Sequence, residues 1–450
     1  MGKVIAIVLL LASVARAENL SLNQAIDIAL KQNAGLKMVE YRVSAAEGQL
    51  MTARGYLVPQ LSASGSIMRM NSLMDMKPGP TYYLPVLDSG THASTDYIVS
   101  MSSGVISSDK IGNTYTGKLS ASWPVYTGGK IWQGYQISRL NHQRAEESYD
   151  SARAGVIYTV KQAYYGLLLA QSAYDVTREA VSSIEKHVTR VQALYQKGMV
   201  SRYDLLRAEV QLSNMQPQLI RMQNAVELSR QSFNMVLNQE LSAPVILSDS
   251  MNYHPVEVDS ALLVKQALHA RPEYKSILIR QRMVEKAKLI SYASYQPTVA
   301  LFADYSYSKG SGFSGSDEWQ KNWDVGVSAS WPLFDGGSGL GKIKEAKANA
   351  QQLSVAKEMV EDWIKLEVSA NYLTLKTNQK AIFSQGRSVE QAQEALKIAQ
   401  ARYENGQATN LDVLDSEVAL TQARTNKIQA LHDYLVSLAK LENAVGKTFQ

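Results

Sequence analysis

An internal repeat constrains the fold of this chain more than any other feature of its sequence. The segment Ser-Ala-Ser-Trp-Pro at 120–124 recurs at 328–332, an offset of 208 residues. The same offset relates two Tyr-x-x-Gly segments, which end at Gly198 and Gly406. An offset shared by separate motifs is typical of duplicated structural units. The sequence therefore predicts two copies of one unit, each large enough to form half of the fold.

Each copy is predicted to run helix, strand, loop, strand, long helix, turn and helix. The first repeat covers 18–238 and the second covers 259–450, and a linker over 239–258 joins them. Pro244 and Pro255 mark that linker as non-helical. The first copy also carries an insertion rich in Pro, Gly and Ser, which predicts a long loop over 76–113 that faces the outside.

The first seventeen residues are predicted to be a secretory signal peptide. Lys3 precedes an apolar run, and Ala15-Arg-Ala17 fits the small-x-small rule for cleavage before Glu18. An N-terminal core helix is the alternative interpretation. Export without an apolar helix of about 20 residues leaves the periplasm, the medium or an outer-membrane β-barrel as destinations. The chain has no cysteine, which excludes disulfides, a catalytic thiol and a lipidated N-terminal cysteine.

Four segments alternate strictly between apolar and small polar side chains, which predicts strands with one apolar face. The apolar sets are Leu61, Ala63, Gly65 and Ile67; Leu119, Ala121, Trp123 and Val125; Val299, Leu301, Ala303, Tyr305 and Tyr307; Val325, Val327, Ala329, Trp331 and Leu333. An ordinary soluble sheet is one interpretation. The other is a transmembrane barrel, in which Trp123 and Trp331 are membrane-interface anchors. Four strands cannot enclose a lumen, so several chains would have to share that barrel.

Helical patterns cover the rest of each copy, and those over 130–197 and 339–404 contain no proline. The predicted helices are 20–56, 130–197, 201–238, 259–294, 339–404 and 409–446. The two longest would each extend about 100 Å at about 1.5 Å per residue. After residue 204, apolar residues recur every seven positions, as at Leu205, Leu212 and Leu219, which predicts coiled-coil packing. Pro217 interrupts the first of these seams, and a bend near Ser213 is expected.

No pattern indicates catalysis or cofactor binding. The loop Gly336–Lys342 resembles a phosphate-binding loop, but Ile343 stands where that motif needs Ser or Thr. The six histidines form no i, i+4 pair, which argues against a histidine-based metal site. A net charge of +5 is too weak to indicate nucleic-acid binding. We therefore expect no enzyme activity, no cofactor, no metal and no nucleic-acid partner.

Together, the signal peptide, the duplicated strand and helix units and the paired Ser-Trp-Pro strands resemble the TolC family of outer-membrane efflux channels. The resemblance covers essentially the whole mature chain. Its most specific part is Ala401-Arg-Tyr-Glu-Asn-Gly406, which is followed by Leu411-Asp-Val-Leu-Asp415. The resemblance implies a mostly helical homotrimer with an α-barrel of antiparallel coiled coils and a shared twelve-stranded β-barrel in the outer membrane. It also implies an inner-membrane pump with a periplasmic adaptor protein, or a type I secretion exporter.

The resemblance also assigns roles to residues at the two glycine turns. The adaptor-contacting tips would be Gly198, Met199, Val200 and Ser201, together with Gly406, Gln407, Ala408 and Thr409. Tyr403 and Asp204 match a hydrogen-bonded link that closes the periplasmic entrance in the family. Asp412 and Asp415 match paired aspartates that line its constriction. A tip arginine of the family falls on Ala408, so a second link has no counterpart here.

The resulting hypothesis is a passive, gated exit duct for substrates that a pump elsewhere drives. A secreted or periplasmic coiled-coil scaffold is an alternative from another class. The scaffold would explain the helical seam and the repeat, but it would not explain four alternating strands with tryptophan near their ends. Membrane fractionation would separate the two, because a scaffold would stay soluble.

Overall fold

A computed structural model describes residues 19–87, 94–310 and 318–449 of the chain. The predicted signal peptide, 1–17, lies outside the described residues. The described chain is mostly helical and contains a smaller number of strands. Within that part of the chain, no helix is both long and apolar enough to cross a membrane.

Eight helices and six strands follow one another along the described residues. The helices are α1 Leu22–Gln32, α2 Ala34–Gly55, α3 Lys130–Gln196, α4 Arg202–Val236, α5 Ser260–Ala270, α6 Pro272–Tyr292, α7 Ser338–Glu404 and α8 Asn410–Val445. The strands are β1 Asn19–Leu20, β2 Gln60–Leu87, β3 Ser94–Thr127, β4 Ile246–Leu247, β5 Thr298–Lys309 and β6 Gln320–Ser330. The order two helices, two strands, a long helix and a shorter helix thus occurs twice.

The two long helices, α3 and α7, have 67 residues each and agree with their predicted bounds to within a residue. Both end where a glycine takes a left-handed backbone conformation, with φ of 72° at Gly198 and 70° at Gly406. Glycine adopts this conformation without the steric cost of a Cβ atom, which is why it terminates helices. The predicted helix ends are confirmed here because they depend on local chemistry.

Each predicted opening helix is divided into two, which the sequence analysis missed. The first is interrupted at Asn33, whose Oδ1 accepts a hydrogen bond from the Leu36 amide at 3.0 Å and so caps α2. The second is interrupted at Arg271, which is extended because it precedes Pro272. Proline suits the first position of a helix, so α6 begins directly after the break.

Strands β2, β3, β5 and β6 form one antiparallel sheet in the order β2-β3-β5-β6. Leu119 of β3 lies opposite Tyr305 of β5, which in turn lies opposite Trp323 of β6. Because paired residues point to the same side of a sheet, the register aligns the predicted apolar sets of neighbouring strands on one face. A second, two-residue parallel pair joins β1, near the start of the described chain, to β4, which lies inside the predicted linker.

The long loop predicted over 76–113 is wrong, because strands β2 and β3 continue through most of it as an antiparallel pair. Prolines in this interval suggested a loop, yet β2 is an edge strand, where a missing N–H is tolerated. The pairing shifts register between Pro78 and Thr81 and again between Pro85 and Leu87. Such irregularities accommodate prolines without ending the strand.

The described residues form two compact units. The first contains 19–47, 140–282 and 351–449, and the second contains 48–139 and 283–350. In the first unit most positions of the predicted helical seam are buried or half-buried, and Ala208, Met215, Val413 and Leu420 are among the buried ones. Lys427, which occupies a seam position of the second repeat, is exposed. Helix α4 runs without interruption through Pro217.

Candidate functional site

One face of the four-stranded sheet exposes apolar side chains that a soluble sheet would bury. Val325 is 72% exposed and Val327 is 66% exposed, and both lie in the middle of β6. Leu61 on β2 and Leu119 on β3 are also exposed on this face. We call this surface the apolar sheet face. Contiguous exposed apolar surface of this kind marks a site of contact with lipid or with another chain.

Aromatic side chains border the apolar sheet face at both ends. Tyr305 and Trp323 lie opposite each other, and Tyr307 stacks on Trp319 with ring centroids 4.7 Å apart. Trp331 lies eight residues beyond Trp323, a separation of about 27 Å at about 3.4 Å per strand residue. This separation is close to the roughly 25 Å apolar band of transmembrane barrels, which aromatic residues flank on both sides.

The two tryptophans predicted as interface anchors occupy matching environments. The indole nitrogen of Trp123 donates a hydrogen bond to the Leu57 carbonyl at 3.1 Å. The indole nitrogen of Trp331 donates to the Tyr295 carbonyl, also at 3.1 Å. Both carbonyls belong to segments that lead from a helix into the sheet. Each ring is thus fixed through its polar edge while its apolar surface stays partly exposed.

The opposite face of the sheet is polar. Lys118 forms an ion pair with Asp304 at 3.1 Å, and Asp304 lies opposite Asp324 on the next strand. Serines such as Ser120 and Ser328 recur on this face, which also contains Phe302. A sheet with one exposed apolar face and one partly exposed polar face is suited to separating lipid from water.

The two glycine turns predicted as tips form matching structures. After Gly198, the Ser201 hydroxyl accepts a hydrogen bond from the Asp204 amide at 3.1 Å, while the Asp204 carboxylate accepts from the Ser201 amide at 3.2 Å. After Gly406, Thr409 and Asp412 form the same reciprocal pair. Both pairs are capping boxes, which satisfy amides that the first turn of a helix leaves unpaired.

The remaining tip residues are mostly exposed. Met199, Ser201, Gln407 and Thr409 face solvent. Val200 and Ala408 are half-buried, and they pack on a cluster formed by α3, α4, α7 and α8. The two turns are therefore held against the helix bundle by Val200 and Ala408, while most of their surface is exposed to solvent.

Asp412 and Asp415 lie one helical turn apart on α8, and both are exposed. Hydrogen bonds from the backbone and hydroxyl of Thr409 lower the pKa of Asp412, and the charge of Arg402 lowers it further. The Asp412 carboxylate therefore remains ionised at neutral and mildly acidic pH. Its capping bonds use Oδ2, so the negative charge stays at the surface of the helix.

The predicted link between Tyr403 and Asp204 is not formed. Among the described residues the Tyr403 hydroxyl is buried and has no hydrogen-bond partner. The Asp204 carboxylate instead accepts hydrogen bonds from Ser201. Burial is the main reason that the pKa of Tyr403 is raised, and the nearby charge of Asp204 adds to it. The hydroxyl consequently keeps its proton and remains available as a donor.

A polar network that the sequence did not predict joins the first hairpin, formed by α3 and α4, to the second hairpin, formed by α7 and α8. Asn410 donates to the Asp204 backbone carbonyl at 2.9 Å and lies 2.6 Å from Nε2 of His187. Nearby, the buried Glu417 accepts from the Ser183 hydroxyl at 2.5 Å. These contacts join residues more than 200 positions apart, and no periodic pattern encodes them. The one hint of this network in the sequence is that the two repeats differ at this position. The second repeat has Asn410, and the first has the exposed Arg202 at the equivalent position, 208 residues earlier.

Comparison with known proteins identifies the family. A family model described as "Outer membrane efflux protein" matches residues 25–239 and 263–447, most of the chain in two stretches. The chain belongs to this family. It is therefore an outer-membrane efflux protein, and the sequence-based resemblance to the TolC family is confirmed.

Curated relatives of this outer-membrane efflux protein include both efflux and secretion proteins. Outer membrane protein TolC of Vibrio cholerae is 22% identical over 327 residues, which cover 70% of this chain and 73% of TolC. The alkaline protease secretion protein AprF of Pseudomonas aeruginosa is 22% identical over 351 residues, which cover 76% of this chain and 72% of AprF.

Solved structures share the fold of this efflux protein. The CmeC outer membrane channel of Campylobacter jejuni matches with a TM-score of 0.76 at 20% identity. The match covers 95% of this chain and 86% of CmeC. At this level of identity the likeness shows a common fold of long helices and strands.

Proposed function

We propose that three copies of this chain assemble into a passive, gated exit duct across the outer membrane. Each copy would contribute β2, β3, β5 and β6 to a twelve-stranded barrel, and the helices would form an α-barrel of antiparallel coiled coils that extends into the periplasm. The chain would perform no chemistry. Substrates would be driven through the duct by a pump or exporter in the inner membrane.

The observation that carries this proposal is the apolar sheet face. Exposed valines at its centre and aromatic residues at both ends match the lipid-facing surface of a barrel. The charged opposite face, with Lys118 and Asp304, would then line a water-filled lumen. Trp123 and Trp331 would anchor the barrel at the periplasmic membrane interface. Because a four-stranded sheet has two open edges, closure requires strands from other copies.

The proposed protomer is an internal duplication with repeats at 18–238 and 259–450 and a linker at 239–258. Two observations support it: the element order occurs twice, and the family model matches two stretches of the chain. We also propose that residues 1–17 are removed on export. The mature chain would carry no lipid on its N-terminus, because the sequence has no cysteine.

The glycine turns are proposed as the periplasmic entrance of the duct and as the site where an adaptor protein docks. Asp412 and Asp415 of three chains would place six carboxylates around one narrow passage, which would attract cations. In the closed entrance, Tyr403 would donate a hydrogen bond to Asp204, through the carboxylate oxygen that its cap does not use. An unpaired buried hydroxyl is costly, by about 1–3 kcal/mol, which favours such a partner.

Two kinds of inner-membrane partner are compatible with this duct. One is an efflux pump with its periplasmic adaptor, and the other is a type I secretion exporter. The relatives support both, since one is named for secretion of a protease and another, from Pseudomonas putida, as a probable efflux pump outer membrane protein.

Site-directed labelling tests the proposed barrel directly. The chain has no native cysteine, so a single introduced cysteine can carry a spin label. At Val327→Cys we expect the label to be accessible to oxygen dissolved in lipid. At the adjacent Ser328→Cys we expect accessibility to a water-soluble nickel complex instead. Equal exposure of both labels to the nickel complex would contradict a lipid-facing sheet.

A further inference from the structure

One buried asparagine joins both helices of the first hairpin to the second hairpin. Asn410 is the first residue of α8 and is only 2% exposed. Its amide nitrogen donates to the backbone carbonyl of Asp204, in the first turn of α4. Since the nitrogen is used there, the amide oxygen accepts from Nε2 of His187 on α3, at 2.6 Å. We call these two hydrogen bonds the inter-hairpin bridge.

The inter-hairpin bridge lies within the apolar packing of the tip region. His187 is 6% exposed, and its ring centroid lies 5.5 Å from that of Tyr403 on α7. Val191, Ala208 and Val413 are fully buried nearby in the cluster that the four helices share. In such a dry setting, separating the hairpins leaves a buried donor and a buried acceptor without partners unless water enters.

We propose that the inter-hairpin bridge holds the second hairpin against the first and is the contact that breaks when the periplasmic entrance opens. This inference rests on the gated-duct function proposed above. Asn410 thus supplies two hydrogen bonds from the second hairpin to the first, one to each of its helices.

The histidine makes the inter-hairpin bridge sensitive to pH. Burial lowers the pKa of His187, and the charge of Arg190 lowers it further, whereas the hydrogen bond with Asn410 and the charge of Glu417 oppose this shift. The other charged or titratable groups around it are Glu404 on α7, which pairs with Arg190, Tyr403 on α7, and Asp204 on α4, which faces the bridge through its carbonyl.

The direction of the pH effect follows from the lowered pKa. The closed bridge holds neutral His187, whereas an opened and hydrated histidine titrates near its ordinary pKa of about 6.5. Below that pH the open form binds a proton that the closed form does not, so acid favours opening. The stabilisation of the closed entrance is complete above about pH 6.5 and is lost progressively as the pH falls below it.

Single-channel recording of the purified full-length protein in planar bilayers tests the proposal. We expect Asn410→Ala to raise the time spent in the open conductance level roughly tenfold at neutral pH, because it removes two buried hydrogen bonds. Asn405→Ala is a matched control at the same tip, since the Asn405 amide donates to the Ala401 carbonyl at the end of α7 and not to the other hairpin. The control should behave like the wild type.

A second variant separates the pH effect from closure itself. Glutamine at 187 can donate to Asn410 but does not titrate. We therefore expect His187→Gln to stay closed at about pH 7.5 and to lose the acid-induced opening that the wild type shows at about pH 5.5. His432→Gln is its control, because His432 lies further along α8 and its Nδ1 contacts the Asp433 carboxylate instead of the bridge. It should keep the wild-type pH profile.

These experiments test the bridge proposal separately from the proposed duct function. If the wild type conducts and Asn410→Ala matches Asn405→Ala, the bridge proposal is overturned while the duct stands. If the wild type forms no conducting pore, the proposed function itself fails. Should Asn410→Ala not assemble, the pH profile of His187→Gln decides, and an unchanged acid response in that variant would overturn the proposal.

Discussion

The two hairpin tips share one backbone frame but carry different chemistry. In each, a glycine with φ near 70° ends a 67-residue helix, and a capping box starts the returning helix. Gly198 and Gly406 can be interchanged in this description, as can Ser201 and Thr409. Local rules for helix ends therefore determine the shape of both tips equally.

The side chains at equivalent positions differ in charge and in direction. Arg202 is exposed on the first tip, whereas its counterpart 208 positions later, Asn410, is buried against α3 and α4. Glu209 faces solvent, whereas Glu417 is 3% exposed and accepts hydrogen bonds from α3 and α7. The first tip thus presents its polar groups outward, and the second uses them to bind the first. Under the proposed function, the contacts that hold the entrance closed would therefore be donated by side chains of the second tip.

The largest expected effect concerns the carboxylates of the second tip. Converting Asp412 and Asp415 together to asparagine preserves the cap and removes six charges per trimer. We expect the ratio of cation to anion permeability to fall roughly tenfold, measured from reversal potentials in a salt gradient. The matched change on the first hairpin, Glu185→Gln with Glu209→Gln, also removes six exposed negative charges per trimer and should leave the ratio nearly unaltered.

An unchanged ratio in Asp412→Asn with Asp415→Asn would show that these carboxylates do not line the passage. A large change in the control pair would show that the first tip lines it instead. Either result would overturn the division of roles between the two tips.

An intermediate effect is expected from the buried hydroxyl of the second tip. Tyr403→Phe removes the donor of the proposed link to Asp204, so the open time should rise by roughly threefold to tenfold. Tyr195 occupies the equivalent position before Gly198 but is substantially exposed. Tyr195→Phe should therefore have no effect in the same recording. If the two phenylalanine variants behave alike, the link is absent and the inter-hairpin bridge alone closes the entrance.

The smallest effect should be equal at the two tips. Ser201→Ala and Thr409→Ala each remove one capping hydroxyl, which costs about 1 kcal/mol. The exchange protection of the Asp204 and Asp412 amides should then fall about fivefold, as measured by amide hydrogen exchange. A loss of exchange protection at only one tip would show that the two tips are not capped in the same way.

The parts of the fold that could be predicted from the sequence are those that local chemistry specifies. The ends of α3 and α7 were found because glycines and caps mark them. The faces of β5 and β6 were found because side chains alternate strictly. The family resemblance was carried by short motifs around Gly406 and Trp331, and the family comparison confirms it.

The errors arose where tertiary context decided the outcome. Pro78 and Pro85 suggested a loop, but the edge position of β2 tolerates prolines within a strand. The break at Asn33 has no proline and depends on the Asn33 side chain, which caps α2 by accepting from the Leu36 amide. The inter-hairpin bridge joins His187 to Asn410 across 223 positions, and a pattern read along one chain does not detect such a contact.

The most direct test of the central claim is the mass and conductance of the protein extracted from membranes. The mature chain would be purified in detergent, its oligomeric mass determined, and its single channels recorded in a planar bilayer. We expect a trimer with small, cation-preferring openings. A protein that stays in the soluble fraction as a monomer or dimer, and that forms no channels, would contradict the proposed duct.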